Sequence, residues 1–325
     1  MRLLKLVPDD TNIKFLKWRW PFYIVSILLM IASWGAVYVN GLNYGVDFAG
    51  GQEVRVTFVG QDEAPVEELR SLIGGMGLGS PVIQRFGDAN SVSIRVRLPE
   101  GVEDTPGAAA EIGNRVITAI QSEYDNVRRD ANDTVSGKVA GEFRQTALLA
   151  LLFAMIAIAI YIWIRFEWQF GVGALFALFH DVSLTMGMLA IFQLEFNLQI
   201  IAAILAIIGY SLNDNIVVYD RVRENLKKYR KMPLPELLDL SVNETLARTV
   251  MTSLTLLAAL FPLLIFGPST LFGLTACITL GIFVGTYSSI YMAAPILIWL
   301  RVTSDSFVPK EDAVDVQEKK ARGQA

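Results

Sequence analysis

The sequence predicts a polytopic α-helical membrane protein of six transmembrane helices, with one α+β ferredoxin-like (βαββαβ) domain between helices 1 and 2. Three observations lead there. Of 325 residues, 53% are hydrophobic and only 18% charged, against about 25% charged in a typical soluble domain. Several charge-free runs are each long enough to cross a bilayer. One long interruption, residues 40–144, has the mixed composition of a folded domain. The 28 basic and 32 acidic residues leave a net charge of -4, so no global basic field points to nucleic acid. One cysteine, Cys277, and one histidine, His180, exclude an intrachain disulfide and a thiol or histidine zinc cage.

Span by span, Trp20 to Val46 carries no charge, nor does Ala147 to Ile164. After Arg165-Phe166-Glu167 the apolar pattern resumes from Phe170 to Leu194, and Phe196 to Asn213 is the fourth run. Thr249 to Leu300 is charge-free and long enough for two spans, with Phe266-Gly267-Pro268-Ser269-Thr270 as the turn. The expected division is an N-terminal segment 1–19, helix 1 at 20–39, the α+β domain at 40–144, helices 2–6 within 145–303 with a basic loop at 220–247 that is helical around Pro235 to Leu240, and a tail at 304–325. Lysine and arginine cluster before the first run (Arg2, Lys5, Lys14, Lys17, Arg19) and between the fourth and fifth, and are lacking around Glu195 and Pro268. The positive-inside rule then expects both termini and the basic loop in the cytoplasm and the 40–144 domain outside. The first apolar run is too long for a signal peptide, and no small-residue cleavage site follows it.

Within the domain, Gln52 to Val59 alternates as a strand and Pro65 to Ile73 reads as an amphipathic helix. Pro81 to Phe86 and Ser91 to Leu98 pair around Gly87-Asp88-Ala89-Asn90, Pro106 to Glu123 is a second helix, and Tyr124 to Val139 holds a last strand.

Charges inside a bilayer are expensive, so each intramembrane ionisable residue is a functional candidate. Asp214 sits in the fourth span among Ser211, Asn213 and Asn215, about 8 Å from the Tyr219-Asp220 exit at a rise of about 1.5 Å per residue. A neutral aspartic acid there can carry a proton; once ionised it needs a counter-charge or water. Arg248, entering the fifth span at comparable depth, is expected to be that counter-charge, with snorkelling to the headgroups as the competing reading. Asp181 is a second candidate relay. Adjacent His180 points about 100° away, so the two are not expected to face one site, and His180 reads as a hydrogen-bonded packing residue. Tyr219-Asp220-Arg221-Val222-Arg223-Glu224-Asn225 reads as a solvated helix end or as a switch toward a cytoplasmic partner. Gly281 and Gly285 fit the GxxxG packing motif. Gly45-Val46-Asp47-Phe48-Ala49-Gly50-Gly51 suits a sharp exit from a membrane helix into a strand.

The sequence has no phosphate-binding G-x-x-x-x-G-K-[ST] loop and no nucleophile elbow, so no enzyme chemistry is indicated. An intramembrane aspartyl protease would need Asp181 and Asp214 close together, but rise per residue places them about 9 Å apart in depth. A proton-driven solute or lipid exporter is the alternative on the same scaffold.

Ser211 to Asn225 closely resembles the fourth-helix motif of SecF subunits in the SecD/SecF protein-export family. Gly45 to Gly51 resembles its G-x-D-F-x-G-G motif, Glu244 to Thr249 the start of its fifth helix, and Gly285 to Ile290 its sixth. The resemblance runs from residue 20 to about residue 300. It implies a fold of the resistance-nodulation-division superfamily, in the bacterial inner membrane with residues 40–144 periplasmic. The implied partners are a SecD-like six-span subunit, the SecYEG channel, a translocating preprotein and membrane lipids. It also implies use of the transmembrane proton gradient without a cofactor, and proton coupling through the positions of Asp214 and Arg248. Asn215 stands where many relatives have threonine. On this view protonation of Asp214 loosens Arg248, the helices shift and the outer domain swings. One proton crossing 100 mV releases about 2.3 kcal/mol, enough to bias a two-state bundle roughly fiftyfold.

Overall fold

A computed structural model describes residues 7–8, 11–78, 81–96 and 106–302. Arg2, Lys5, the end of the expected Ser91–Leu98 strand and the 304–325 tail lie outside the described residues. A 3-10 turn, Phe15–Trp18, leads into α1 (Arg19–Asn40); β1 (Asn43–Tyr44) and α2 (Val46–Ala49) follow. The domain then runs β2 (Gly51–Phe58), α3 (Val66–Gly74), β3 (Val82–Arg85), β4 (Ser91–Val96), α4 (Pro106–Glu123) and β5 (Val127–Val135). Next come α5 (Gly137–Arg165), α6 (Trp168–Phe192), β6 (Glu195–Phe196), α7 (Leu198–Lys228) and α8 (Leu234–Phe266). The last span is α9 (Phe272–Ser288), a π turn (Ser289–Ala293) and α10 (Ala294–Trp299).

Six helical stretches are long and apolar enough to cross a membrane, and the βαββαβ order between the first two is the expected one. Side-chain caps set two helix starts: Ser136 accepts the Val139 N–H at 3.4 Å and Asn197 the Ile200 N–H at 3.2 Å. Pro268, two residues past the end of α8, cannot continue a helix, so the chain turns there as expected. The basic loop expected at 220–247 is shorter than that. The 31 residues of α7 and 33 of α8 rise well beyond a hydrocarbon core about 30 Å thick, so both helices project past the membrane and only five residues, 229–233, join them. Hydrophobic periodicity continues there through buried Val222, Leu226, Leu237, Leu238 and Val242, which pack under the N-terminal 3-10 turn.

The sheet has the order β3-β4-β2-β5, antiparallel throughout, with Val54 opposite Ile94 on one side and Asn132 on the other. Alternation sorts its faces. Val54, Val56, Phe58, Val92 and Ile94 pack under α3 and α4 against Leu69, Ile73, Val116 and Ile120. Glu53, Arg55, Ser93 and Arg95 face the other way. That polar face overlooks a cleft of about 780 Å³ whose far wall includes Leu264, Ile265 and Phe272 at the α8–α9 turn.

In the bundle, α7 and α9 approach closely at Gly281, where an added Cβ would lie under 3.0 Å from Ile207, and at Gly285, beside Ser211. The GxxxG pair therefore packs within the chain. Two apolar clusters fill the interior. One, toward the domain, contains Leu178, Ile200, Ile204, Ile207 and Cys277; the other, toward the basic end, contains Phe170, Val218, Tyr219, Met292 and Leu297. Along α7 and α9 a buried polar stretch separates them.

Candidate functional site

The polar stretch is built from hydroxyl and acid side chains that face inward from four helices. Asp214 on α7 is 5% exposed. Its Oδ1 accepts the Thr249 hydroxyl of α8 at 2.6 Å, while Oδ2 has no hydrogen-bond partner among the described residues. Neighbouring Asn215, wholly buried, has neither amide atom partnered among the described residues. Such groups are uncommon in folded interiors and need a reason.

Arg248 does not provide the expected ion pair. It is exposed on α8, and among the described residues no basic group lies within 4.0 Å of Asp214. The reason is helical phase: residues 248 and 249 point about 100° apart, and Thr249, 2% exposed, takes the inward position. Asn213, grouped with Asp214 as a proton-coupling candidate, does not share its inward face. It is exposed, because the same 100° step that turns Asp214 inward turns Asn213 out.

Asp181 on α6 is completely buried. Its Oδ2 accepts hydroxyls from Ser211 of α7 at 2.5 Å and Ser288 of α9 at 2.9 Å. Its Oδ1 lies 2.9 Å from His180 Nδ1. The expected divergence of His180 and Asp181 is thus overturned: side-chain torsions bring two adjacent residues into contact although their Cα–Cβ bonds diverge. Asp181 and Asp214 have separate partners and are not bonded to each other, as the depth argument required.

Two features escaped the sequence reading. Ser241, Thr245, Thr249 and Ser253 recur every fourth residue along α8 and are all buried, a stripe that single-turn spacing makes legible. Ser253 continues the network to Thr286 at 2.7 Å and Tyr210 at 2.6 Å. Residues Ser289–Ala293 form a π turn immediately after Ser288, and π turns recur at functional sites.

At the basic end, Asp220 pairs with Arg165 of α5 at 2.9 Å, and Arg221 bridges Glu224 at 2.6 Å and Glu244 of α8 at 2.7 Å. These two residues of the motif therefore tie α7 to both neighbours.

At the domain end, the glycine-rich segment makes a joint. Gly45 donates its N–H to Phe196 O at 3.0 Å, and Asp47 Oδ2 accepts the Leu198 N–H that opens α7 at 3.0 Å. Gly45 has an ordinary φ of -68°; its side is closed by Glu195, which leaves no room for a Cβ. Gly50 (φ 71°) and Gly51 (φ 115°) are left-handed, and a Cβ on Gly50 would sit 3.0 Å from Gly137 Cα at the start of α5. Phe48 packs on Phe196, with ring centroids 5.4 Å apart. From the sheet, buried Arg95 donates to Tyr44 O at 3.0 Å and Gln84 Oε1 at 2.9 Å and lies 3.9 Å from Glu195. Burial pushes the Glu195 carboxyl above its ordinary range, and Arg95 only partly offsets this. Glu53 accepts Arg55 at 2.9 Å and Ser93 at 2.6 Å on the same face.

Comparison with known proteins matches the same segments. The family described as "Protein export membrane protein SecD/SecF, C-terminal" covers residues 115–303, and the "SecD/SecF GG Motif" covers 35–61. The chain is 42% identical to the protein translocase subunit SecF of Rhodobacter capsulatus over 91% of each chain. It is 38% identical to that of Pseudomonas aeruginosa over 94% of this chain and 97% of the relative. Crystal structures of SecDF are similar too. One from Thermus thermophilus, described as a translocon-associated membrane protein, has a TM-score of 0.82 and 34% identity and covers 90% of this chain; a super-membrane-facing form has a TM-score of 0.67, 33% identity and full coverage. The chain spans only 39% and 42% of those two longer proteins. With its last five spans and its glycine-rich joint both inside the family pattern, and relatives alike over nearly their whole length, this chain belongs to the SecD/SecF family of protein-export membrane proteins, as a multi-pass SecF-type subunit.

Proposed function

We propose that this subunit pairs with a SecD-like six-span partner beside the SecYEG channel and uses the transmembrane proton gradient to help draw preproteins across the bacterial inner membrane. Both termini face the cytoplasm and the 40–144 domain faces the periplasm, in keeping with the basic residues at the end of α7 and in the linker to α8 (Lys227, Lys228, Arg230 and Lys231). The observation that carries the reading is Asp214: an acid buried at mid-bundle, with one oxygen on Thr249 and the other unpartnered. As an ion it would be an uncompensated buried charge, which is costly. As a neutral acid it fits, and on this reading the conformation described is the one that suits the proton-loaded acid.

Release of the proton then requires a counter-charge, and Arg248, one residue from Thr249 on α8, comes within reach if α8 rotates against α7. The ion pairs of Asp220 and Arg221 and the hydroxyl stripe of α8 sit at the boundary that would move. At the other end, Asp47 holds the first N–H of α7 and Arg95 holds the domain to β1 and β6, so a shift of α7 reaches the domain through named contacts. The test is Asp214→Asn in vesicles reconstituted with the partner subunit and the channel. Proton-dependent stimulation of export should vanish while ATP-driven export persists; undiminished stimulation would defeat the proposal.

A further inference from the structure

His180 is the chain's one histidine and has no exposed surface, yet only half of its ring is engaged. Nδ1 contacts Asp181 at 2.9 Å, and Nε2 has no partner among the described residues. Asp181 meanwhile accepts Ser211 at 2.5 Å and Ser288 at 2.9 Å on its other oxygen. Two hydroxyls and one ring nitrogen thus converge on one buried carboxyl, and a buried carboxylate is least costly with a positive charge beside it. No lysine or arginine among the described residues lies within 4.0 Å of Asp181. The imidazole is the one basic group in contact with it.

We propose that His180 and Asp181 form a second proton-binding centre in the bundle, with the proton entering at His180 Nε2. Nδ1–H donates to Asp181 Oδ1 throughout. Entry converts a neutral imidazole beside a carboxylate into an imidazolium beside a carboxylate, so the pair goes from one negative charge to none. Departure reverses this; only the Nε2–H bond is made or broken.

The centre shares its supports with Asp214. Ser211, which holds Asp181, is three residues from Asp214 on α7, hence on the same face one turn away. Ser288, its other holder, enters the π turn of the last span. The groups around the pair are few. From α9, the Tyr287 ring is 5.8 Å from the imidazole; from α1, Ser26 hydrogen-bonds the Tyr287 hydroxyl; from α7 come Ser211 and, one turn on, Asp214. Among the described residues no charged side chain of α1, α5, α8 or α10 hydrogen-bonds or ion-pairs with His180 or Asp181. Asp214 is therefore the nearby charge on α7 that can change. While ionised it favours the imidazolium; once protonated it no longer does, so the two centres load in opposition.

The purpose of such opposition rests on the proton-coupled reading, but its detection does not. The test uses the complex with the partner subunit, in lipid, with this chain alone carrying 15N-histidine and no polyhistidine tag. The His180→Gln complex supplies the difference spectrum. Solid-state NMR across about pH 5 to 9, the range in which histidine switches, should show both ring nitrogens of His180 becoming protonated. Asn at position 214 is neutral at every pH, so the comparison is made at the upper end of that range, where the parent's Asp214 gives up its proton: there the doubly protonated fraction in the Asp214→Asn complex should be roughly fivefold or more lower than in the parent, the effect of lacking one nearby charge in a low-dielectric interior. A His180 that stays singly protonated across the range, or a titration unmoved by Asp214→Asn, overturns the inference. If Asp214→Asn leaves proton-driven export intact while His180 titrates as expected, the centre stands and the export reading falls.

Discussion

The Thr249 hydroxyl, not a guanidinium, touches the Asp214 carboxyl, at 2.6 Å. That contact puts a neutral hydrogen bond where an ion pair was expected, at a buried position where charge is costly. Thr249→Val keeps shape and removes the donor, leaving both carboxyl oxygens without a partner. The expected loss is about 1–3 kcal/mol of stability, read by thermal unfolding, together with reduced proton-driven export; Thr249→Ser should retain both. Equal behaviour of the two variants would show the contact to be incidental.

Gly281 lets α9 lie against Ile207 of α7 with no space for a methyl group. Gly281→Ala should cost about 1–3 kcal/mol through overpacking. Because the obstruction is the Ile207 side chain, Ile207→Val should recover part of the loss, whereas a substitution at Gly209, open within 4 Å, should not. A double-mutant cycle on unfolding in detergent measures the coupling.

Arg95 joins the sheet to the membrane part through Tyr44 O and Asn43, and is braced within the sheet by Gln84. Arg95→Met preserves the aliphatic stem but not the donors. Amide hydrogen exchange should quicken at Asn43, Tyr44, Glu195 and Phe196, while Val54, Val56 and Ile94 in the domain core stay protected. Faster exchange in the core instead would mean that Arg95 stabilises the domain and not its attachment.

Glu195 holds its proton more tightly in the folded protein than in the unfolded chain, since burial raises its pKa above the ordinary 4.5. Its contribution to stability is therefore full below the ordinary carboxylate range and is lost as pH rises through the elevated folded value. Glu195→Gln should remove that pH dependence and leave the variant no less stable than the parent at neutral pH. Thermal unfolding between about pH 4 and 7 tests the sign; a variant that loses stability only at neutral pH would show that the pairing with Arg95 outweighs burial.

How much of this was legible beforehand differs by feature. The spans and the βαββαβ order follow from counting, because a bilayer demands about 20 apolar residues and a half-buried strand alternates. Asp214 and Asp181 stand out by cost alone. The partners of those acids do not: Arg248 and Thr249 are adjacent in sequence, and which of them faces α7 depends on how α8 is rotated in the bundle. The rotation of α7 likewise turns Asn213 outward and Asn215 inward. The helical extension of α7 past the bilayer was hidden because its charges resemble a loop, and that of α8 showed only as a short helix around Pro235 to Leu240; their buried face is visible only once the N-terminal 3-10 turn covers it.

Composition and periodicity alone determined that this chain spans a membrane six times, carries one α+β domain, and hides a few acids where charge is expensive; those are properties of transfer free energy and repeat length, which belong to residues in order. Tertiary structure decided which hydroxyls meet which carboxylates, that His180 turns toward Asp181, and that Arg95 anchors the domain. Such contacts are set by helix rotation and side-chain torsion, quantities that exist only after the helices have packed.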